Sequence, residues 1–382
     1  MRRSAALIVG GGPAGASAAI LLARAGLPHL LIERTRETGD ALCGGFLSWR
    51  TLDSLRSLGV TPEMLGPARL TRVRLFAGGY VAETGLPRPA LAVSRHRLDS
   101  VLLTQAARAG AAIEHGVMVK AIEGGVARLQ DGADLASDAL FLASGKHDVR
   151  GLARPAGARG ADPTLGLRVR LGASPALERL IGDTIELHLF DRGYIGVVLQ
   201  EDGSANCCMA VRRSRLTEAG SPDRLLDALA LECPRLGERF AHRDGSEPID
   251  AVANIPYGWR VRGGEAGLFR LGDQAGVIPS LAGEGMGIAI ASGIRAANAY
   301  AAGGAEAAIP FQARLARDLA RPIGIAGLIR AGAERPGLAC GAVMIAGHAP
   351  SFVDAVARLT RINHSHLDQP PVPLESCRPW TI

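Results

Sequence analysis

Two glycine-rich turns, far apart in the chain, carry the residue patterns that most clearly point to chemistry. The first turn, Gly10-x-Gly12-x-x-Gly15, follows a short apolar run at 5–9 and opens a helical run that ends near Gly26. Glycines at this spacing let backbone N–H groups approach a pyrophosphate, and the N-terminus of a helix adds partial positive charge. The pattern therefore predicts a site for an adenine dinucleotide.

An acid stands where the ribose of a dinucleotide needs one. Glu33 ends the second apolar run, "HLLIE" (29–33), and its carboxylate can accept hydrogen bonds from a ribose diol. The same negative charge disfavours a 2′-phosphate and so argues against NADP in this groove. FAD and NAD remain open at this point, and the alternative is a tight strand–helix turn that binds no ligand.

The second turn, "GDQAGVIPSLAGEGMGIAIASG" (272–293), lies near the other end of the chain. Asp273 ends a predicted strand and can accept from a ribityl hydroxyl, while Gly283, Gly285 and Met286 precede a helical run. Free N–H groups at the start of that helix can hold the pyrimidine edge of a flavin, which is negatively charged when reduced. A single NAD groove would not need this turn, so the two turns together favour FAD.

The elements between the turns follow two patterns. Strand, helix and strand at 5–33 predict parallel pairing with a right-handed crossover. Residues 164–211 are typical of antiparallel strands, with apolar residues alternating with Glu186 and His188. After 305 the chain is predicted to be helical. We therefore expect an α/β composite with a Rossmann-like FAD-binding domain, an inserted antiparallel sheet and a C-terminal helical segment.

The predicted domains are discontinuous, because the chain leaves the first layer and returns to it. The FAD-binding domain comprises 1–70, 93–163 and 250–304. The substrate domain comprises 71–92, a hairpin around Gly78-Gly79, together with 164–249. The C-terminal helical region comprises 305–382.

Composition excludes several classes of function. The net charge is +6, but the basic residues are mostly arginines spread along the chain, and no basic run contains aromatic residues, so we expect no nucleic-acid partner. No pair of the six cysteines has CxxC spacing, so we expect no metal site. No run of 18 apolar residues is present. We expect a cytoplasmic protein, monomer or homodimer, without an integral membrane segment; peripheral membrane contact stays open, and 368–382 is a proline-rich tail.

Further motifs support a resemblance. "LCGGFLSWRTLDSLRSLGV" (42–60), "VSRHRLDSVLLTQAARAGA" (93–111) and "LASGKHDVRG" (142–151) accompany the two turns. Together they resemble the flavoprotein superfamily of p-hydroxybenzoate hydroxylase and geranylgeranyl reductase, over most of 5–300. The resemblance implies an FAD-binding oxidoreductase, and it does not single out one reaction.

The resemblance also implies roles for individual residues. Arg95 resembles the arginine that pairs with the diphosphate, with Arg97 as its rival, and Val119 resembles the residue that backs the adenine. Cys43 belongs to a stretch that resembles the segment beside the flavin in this superfamily. Its side chain either lies over the flavin ring or is a small packing residue. The predicted FAD contacts are Gly10, Gly12, Ala14, Gly15, Glu33, Arg34, Cys43, Gly44, Phe46, Arg95, Val119, Asp273, Gly283, Gly285 and Met286.

Two reactions are compatible with this resemblance. "CGGFLS" and "SGKHDVRG" look like hydroxylases of secondary metabolism, which implies an FAD-dependent monooxygenase acting on a hydrophobic aromatic or polyketide-like molecule through a flavin C4a-hydroperoxide. The alternative is a geranylgeranyl-reductase-like reduction of prenyl or other alkene double bonds. A flavin-binding protein without turnover is a third hypothesis. The WxWxIP motif of tryptophan halogenases is absent from the sequence, which disfavours that chemistry.

Candidate catalytic residues come from the antiparallel layer and the second turn. His188 and Tyr194 are polar residues that could hold a phenol or carbonyl oxygen, although the alternation favours a solvent-facing His188. The Pro279 carbonyl could orient an incoming hydroperoxide, or the proline could simply form a turn. The electron donor is expected to be NAD(P)H, for which Lys146 and Arg150 are either phosphate contacts or solvated loop charges.

Overall fold

A computed structural model describes residues 2–245 and 247–362 of the chain, so the predicted proline-rich tail at 368–382 lies outside the described residues. The strands are β1 (Arg2–Val9), β2 (His29–Glu33), β3 (Phe46–Leu47), β4 (Arg69–Ala77), β5 (Tyr80–Ala92), β6 (Ala112–His115), β7 (Val119–Glu123), β8 (Val126–Leu129), β9 (Asp134–Leu142), β10 (Thr164–Leu171), β11 (Thr184–Phe190), β12 (Gly193–Leu199), β13 (Ala205–Arg212), β14 (Asp250–Ile255) and β15 (Leu268–Arg270). The α-helices are α1 (Pro13–Arg24), α2 (Trp49–Ser57), α3 (Pro62–Leu65), α4 (Arg95–Arg108), α5 (Pro175–Ile181), α6 (Arg213–Ala219), α7 (Pro222–Glu232), α8 (Pro234–Phe240), α9 (Gly285–Gly303), α10 (Ala308–Ala333), α11 (Pro336–His348) and α12 (Pro350–Leu359).

The first sheet has the apolar strand β1 at its centre. Strand β1 pairs in parallel with β2 and β9, and the order is β6-β2-β1-β9-β8-β7, with β15 also parallel to β9. Helices α1, α4 and α9 pack together beside it. A Cβ on Gly293 of α9 would lie 2.2 Å from the Ala14 carbonyl oxygen, so α1 and α9 meet backbone to backbone. The two helices that follow the glycine turns are therefore direct neighbours.

The second sheet has the order β14-β10-β13-β12-β11-β4-β5-β3. All neighbouring strands in it are antiparallel except β11 and β4, which are parallel. Leucines of α5, α7 and α8 join the core on one side of this sheet. The other side faces the cleft described below. Two sheets with packed helices confirm the predicted α/β composite.

The predicted domain boundaries do not coincide with the membership of the sheets. Strand β14, in the segment 250–304 predicted for the FAD-binding domain, pairs with β10 of the second sheet. Strand β3, in the predicted segment 1–70, pairs with β5 of the same sheet. Both strands connect the layers, and the division into domains stays a prediction.

The C-terminal helices cover one end of the second sheet. Helix α11 buries Ala339, Val343 and Ala346 and packs on β4 and β5, while its other face exposes Leu338 and Ile345. Among the described residues, no single helix is long and apolar enough to cross a membrane. Helices α11 and α12 reach that length and composition only as a pair, with a bend of 115° between them.

Candidate functional site

Close backbone approaches require glycine at two positions of the first turn. Gly10 has a φ of +108°, and a Cβ on it would lie 2.6 Å from the Ala143 carbonyl oxygen. A Cβ on Gly15 would lie 2.0 Å from the carbonyl oxygen of Gly10. At Gly12 the nearest atom to a Cβ would be Nη2 of Arg95, at 3.2 Å. Gly10 and Gly15 therefore shape the turn, while Gly12 leaves space in front of the free N–H groups of α1.

Glu33 lies beside the first turn, on the side predicted to bind the adenosine, and hydrogen-bonds the backbone of the turn. Its Oε2 accepts a hydrogen bond from the Gly11 N–H at 2.7 Å, and its Oε1 accepts from the N–H and hydroxyl of Thr35 at 3.0 and 2.9 Å. The Val117 N–H donates to the Glu33 carbonyl, which places the start of β7, with Val119, on the same side. Carboxylate oxygens have several acceptor sites, so Glu33 can also accept from a ribose hydroxyl.

Arg95 lies over the first turn from the start of α4. Its Nε and Nη2 donate to the Asp99 carboxylate at 2.9 and 2.7 Å. Burial by itself would lower the pKa of Arg95, but the charge of Asp99 outweighs it and the pKa is raised. Arg97, the rival candidate, is exposed and donates to the Met64 carbonyl. The guanidinium that faces Gly12 is therefore that of Arg95.

The second turn presents the N-terminus of α9 beside the ring of Phe46. Gly283 has a φ of +62°, and a Cβ on it would lie 2.8 Å from Cδ1 of Phe46. At Gly285, the first residue of α9, a Cβ would have no atom of the described chain within 4 Å. The first N–H groups of a helix have no partner inside the helix. Gly285 and Met286 thus offer free donors at an open surface.

A buried ion pair joins the second turn to the C-terminal end of the described chain. The fully buried Glu284 lies 3.1 Å from Nη1 of Arg361, which also donates to the Ala282 carbonyl at 2.5 Å. The Arg361 guanidinium lies 5.6 Å from the centres of the Phe46 and Trp49 rings. Burial lowers the pKa of Arg361, and the charge of Glu284 opposes that shift. A buried pair of this kind is stable only with both partners present.

Asp273 and Lys146 form an ion pair between the two turns. Oδ2 of Asp273 lies 3.4 Å from Nζ of Lys146, and the charge of Asp273 raises the pKa of Lys146. Cys43 and Cys208 line the same cavity. Burial raises the pKa of Cys208 to about 12, so its thiol stays protonated at neutral pH. Lys146 is therefore paired with Asp273. This ion pair was not among the two predictions for Lys146, a phosphate contact or a solvated loop charge.

One continuous cleft connects the two turns. It has a volume of about 1340 Å³, including its open mouth. The predicted contacts that line it are Gly12, Ala14, Cys43, Gly44, Phe46, Arg95, Asp273, Gly283, Gly285 and Met286. A Cβ on Gly44 would also meet open space, as at Gly285. Two free helix N-termini, an arginine and open glycine positions along one cleft fit the diphosphate and flavin of an extended FAD.

The second sheet covers the far end of the cleft with apolar side chains and a small group of hydroxyls. Tyr194 exchanges a hydrogen bond of 2.8 Å with Ser280 and accepts from the Leu281 N–H at 3.1 Å. The Tyr257 hydroxyl donates to Ser280 at 2.8 Å. Burial raises the pKa of Tyr194 well above its usual value and that of Tyr257 to about 12. Both phenols therefore remain hydrogen-bond donors at neutral pH.

His188 lies on the opposite face of β11 and does not line the cleft. Its side chain is 1 % exposed, so the expected solvent-facing position is wrong. The ring stacks on Phe76 with 4.2 Å between centroids, and Nε2 lies 3.4 Å from Glu186, which Arg239 of α8 also binds. Burial lowers the pKa of His188, opposed by Glu186. The alternation is present, but a helix covers the polar face.

Six further predicted residues also lie outside the lining of the cleft, namely Gly10, Gly15, Glu33, Arg34, Val119 and Pro279. Pro279 is buried, and its carbonyl already accepts a hydrogen bond of 3.1 Å from the Ala282 N–H. Arg34 is exposed, and its Nη2 lies 2.9 Å from Nε2 of His147. The structure therefore brings Tyr194 to the cleft but not His188, and the role of the Pro279 carbonyl stays a prediction.

Three polar residues of the cleft were not singled out from the sequence. Ser280 could have been found from the sequence, because it directly follows the candidate Pro279. Tyr257 and Cys208 carried no local signal, because their positions at the cleft depend on the pairing of distant strands. Tyr257 follows β14, and Cys208 lies opposite Arg168 of β10 and Gly196 of β12.

A second cavity, here called the apolar chamber, lies between the second sheet and the C-terminal helices. Its volume is about 1260 Å³, including its open mouth, and the side chains that line it include Leu75, Leu189, Ile329, Val343, Val353 and Ala357. Phe46, Ile185, Leu187, Leu281 and Gly283 line both the chamber and the cleft. The chamber therefore adjoins the end of the cleft at the second turn.

The start of the chain matches a known domain. Residues 3–149 match the family described as "FAD binding domain". A menaquinone reductase of Mycobacterium tuberculosis is 30% identical over 150 residues, which cover 36% of this chain and 37% of the relative. A probable electron transfer flavoprotein-quinone oxidoreductase of Escherichia coli is 35% identical over 161 residues, covering 38% and 37%. The matched part of the chain thus spans little more than a third of the length of these relatives.

Solved structures resemble nearly the whole fold. A probable FAD-dependent monooxygenase, PqsL of Pseudomonas aeruginosa, has a TM-score of 0.69 at 17% identity, covering 90% of this chain and 100% of that chain. A geranylgeranyl bacteriochlorophyll reductase-like protein of Thermoplasma acidophilum has a TM-score of 0.65 at 21% identity, covering 96% and 95%. The flavin-dependent brominase Bmp2 has a TM-score of 0.70 at 20% identity, covering 94% and 93%. At these identities the solved structures show a shared fold. The match of residues 3–149 to the FAD binding domain agrees with the predicted resemblance to FAD-dependent oxidoreductases.

Proposed function

We propose that the chain is an FAD-dependent monooxygenase that hydroxylates a hydrophobic aromatic or polyketide-like small molecule, with NAD(P)H as the electron donor. The observation that carries the proposal is the cleft itself: it runs from one free helix N-terminus to another, and apolar side chains of the second sheet line it near the second turn. The first sheet would hold the cofactor and the second sheet the substrate.

The chain's own residues would bind the cofactor from both ends. Gly12 leaves room for a diphosphate in front of α1, Arg95 supplies a fixed positive charge there, and Glu33 accepts from the adenosine ribose. Gly285 and Met286 would donate their N–H groups to the pyrimidine edge. Bound FAD supplies hydride acceptance from a nicotinamide donor and activation of oxygen.

The far end of the cleft suits a reaction that must be kept dry. Ile185, Leu187 and Met209 line it, and exclusion of water protects reactive oxygen species from unproductive decay. The Tyr194 hydroxyl, with Ser280 beside it, would hydrogen-bond an oxygen of the substrate and orient the ring. Because the pKa of Tyr194 is raised, it acts there as a donor and not as a base.

Reduction of an alkene double bond is the second candidate. It is favoured by the apolar chamber, which can hold a long hydrocarbon chain beside the cleft, and by Cys43 in the lining of the cleft. The sequence relatives named menaquinone reductases are reductases by name. Both candidates use the same FAD contacts. They differ only in whether the reduced FAD reacts with dioxygen or with an alkene.

Rapid mixing of the FAD-loaded protein separates the candidates. NADH or NADPH is first added without oxygen, and reduction is followed by loss of the flavin absorbance. Alkylphenols and prenylated quinones are then offered with and without isotopically labelled dioxygen, and products are weighed by mass spectrometry. Labelled oxygen in an alkylphenol product supports the monooxygenase. A gain of two hydrogens in the prenyl chain under anaerobic conditions, which persists after air has reoxidised any hydroquinone to the quinone, supports alkene reduction. If neither nucleotide reduces the flavin, NAD(P)H is not the donor.

A further inference from the structure

We propose that Arg154 is a positioning residue of the cofactor site: from behind the wall of the cleft, it holds Lys146 and Asp273 in the arrangement that the flavin half of FAD requires. The inference rests on the FAD site of the proposed function. It adds to that site a residue that does not line the cleft.

The loop 145–148, here called the bridge loop, follows β9 and lines the cleft with its first two residues. It contains no helix or strand, so its carbonyl groups need partners outside the loop. Nε2 of Gln274 donates to the carbonyls of Gly145 and His147, at 2.9 Å each. Arg154 also donates to two carbonyls of the loop. The bridge loop is therefore held in place by side chains of two other segments.

Arg154 binds the main chain of both partners in the ion pair between Lys146 and Asp273. Its Nη1 donates to the Asp273 carbonyl at 2.9 Å, and its Nη2 donates to the Lys146 carbonyl at 2.5 Å. The side chains of the same two residues form the ion pair of 3.4 Å in the lining of the cleft. A guanidinium group is planar and presents its donors at fixed angles. Arg154 thus sets the spacing between the two backbone segments that carry the pair.

The Arg154 side chain is itself fixed. It is 3 % exposed, and its Nε donates to the Asp148 carboxylate at 2.8 Å. The guanidinium carbon lies 5.6 Å from the centre of the Trp259 ring, within the range of a cation–π contact. All three nitrogens of Arg154 donate to acceptors of the chain. Any effect of Arg154 on a ligand is therefore exerted through the residues that it holds.

The position of these residues determines which half of the cofactor is affected. Asp273 is the predicted contact of the ribityl chain, and it lies between the two turns. The adenosine side, with Glu33, receives no hydrogen bond from Arg154. An ordered Asp273 spares the ligand the cost of ordering it on binding. Loss of Arg154 should therefore weaken binding of the flavin half and leave the adenosine half unaffected.

Binding of FAD, FMN and ADP to the apoprotein, measured by isothermal titration calorimetry, tests the inference without turnover. Arg154→Met keeps the aliphatic stem and removes every donor. We expect FAD and FMN to bind at least about tenfold more weakly, because each must then order the bridge loop and Asp273 itself. ADP, which lacks the flavin half, should bind as it does to the unsubstituted chain. Arg154→Lys keeps the charge beside Asp148 but lacks the planar fork, and should show the same selective loss with a smaller decrease in stability.

Arg239→Met is the matched control for the loss of a buried arginine. The Arg239 side chain is 4 % exposed, and it donates to the Glu186 carboxylate and to the Arg235 carbonyl. None of these three residues lines the cleft. This variant should lower the midpoint of urea denaturation, as Arg154→Met does, and leave all three affinities unchanged.

A double variant tests whether Arg154 acts through Asp273. Asp273→Ala removes the carboxylate but keeps the carbonyl that Arg154 binds. In that background the carboxylate is no longer there to be positioned, so adding Arg154→Met should weaken FMN binding by less than about threefold. A role of Arg154 in stability alone would not produce this dependence on Asp273.

Three results would overturn the inference: unchanged FMN affinity in folded Arg154→Lys, an equal loss for ADP and FMN in either Arg154 variant, or an undiminished effect of Arg154→Met in the Asp273→Ala background. Each of them requires an unsubstituted chain that binds FAD, so the proposed function can survive them. An unsubstituted apoprotein that takes up no FAD contradicts the proposed function itself.

Discussion

The two glycine turns present the same feature, a helix N-terminus at a cleft, but they are stabilised in different ways. The first turn is held by close backbone approaches that a side chain would block: Gly15 approaches the Gly10 carbonyl within the turn, and Gly10 approaches the Ala143 carbonyl after β9. The second is held from a distance, because Glu284, which precedes α9, pairs with Arg361 from the C-terminal end of the described chain. One turn is therefore held by backbone packing, and the other by an ion pair with a distant side chain.

This difference separates cofactor binding from stability. At the first turn Gly15 couples the two properties, because a substitution that displaces the backbone there disturbs both the fold and the cofactor site. At the second turn the tasks are divided, with Gly285 open to the cleft and Glu284 buried behind it. Four substitutions test this division.

Gly15→Ala should have the largest effect. Its Cβ would lie 2.0 Å from a backbone oxygen, so the turn must move. We expect loss of FAD and a decrease of about 3 kcal/mol or more in the free energy of unfolding of the apoprotein, measured by urea denaturation. Gly324→Ala in α10, where a Cβ meets open space, is the control and should not destabilise. A stable, FAD-binding Gly15→Ala would contradict the account of the first turn.

Glu284→Gln should destabilise the protein by about 3 kcal/mol, because Arg361 would be left as an unpaired buried charge. The matched control is Glu114→Gln, which removes the same group from an exposed pair with Arg2 and should change stability by less than about 1 kcal/mol. Urea denaturation measures both variants. Equal effects would mean that the second turn does not depend on its distant partner.

Gly285→Ala should leave the stability of the apoprotein unchanged and weaken FAD binding about tenfold, or about 1.4 kcal/mol. Its Cβ meets no described atom, so only a ligand can collide with it. Titration followed by flavin fluorescence, with FAD, FMN and ADP in turn, measures the effect. FAD and FMN should both bind more weakly, and an equal loss for ADP would place the collision at the wrong end of the cleft.

Glu33→Gln should have the smallest effect, a weakening of FAD binding by about fivefold. The amide can still accept from the Gly11 N–H, but it loses the charge that strengthens hydrogen bonds to the ribose. The same titrations should show a loss for ADP and none for FMN, which lacks the adenosine. A loss that is equal for ADP and FMN would mean that Glu33 acts only through the shape of the turn.

Local patterns in the sequence predicted the first turn well, because its chemistry lies within a short segment. Spacing alone placed Gly10 and Gly12 between a strand and a helix, with Glu33 at the end of the next strand, whereas Gly15 lies in the first turn of α1. The polar partners of the second turn could not be predicted from the sequence. Nothing near Glu284 indicates that Arg361, far along the chain, would neutralise it.

His188 illustrates a different limit. The alternation along β11 was read correctly, and it predicted one apolar and one polar face. Which face of β11 meets solvent depends on the helices that pack against it. Arg239 of α8 covers the polar face. The apolar chamber could not be predicted for the same reason, since it exists only where the C-terminal helices lie against the second sheet.

Titration of the apoprotein with FAD, in competition with ADP and with FMN, tests the central claim most directly. If both turns hold one extended cofactor, FAD binds with a stoichiometry of one, its absorbance bands shift, and ADP and FMN each displace it at much higher concentrations. An apoprotein that takes up no FAD, or one from which only ADP or only FMN displaces it, would contradict the account.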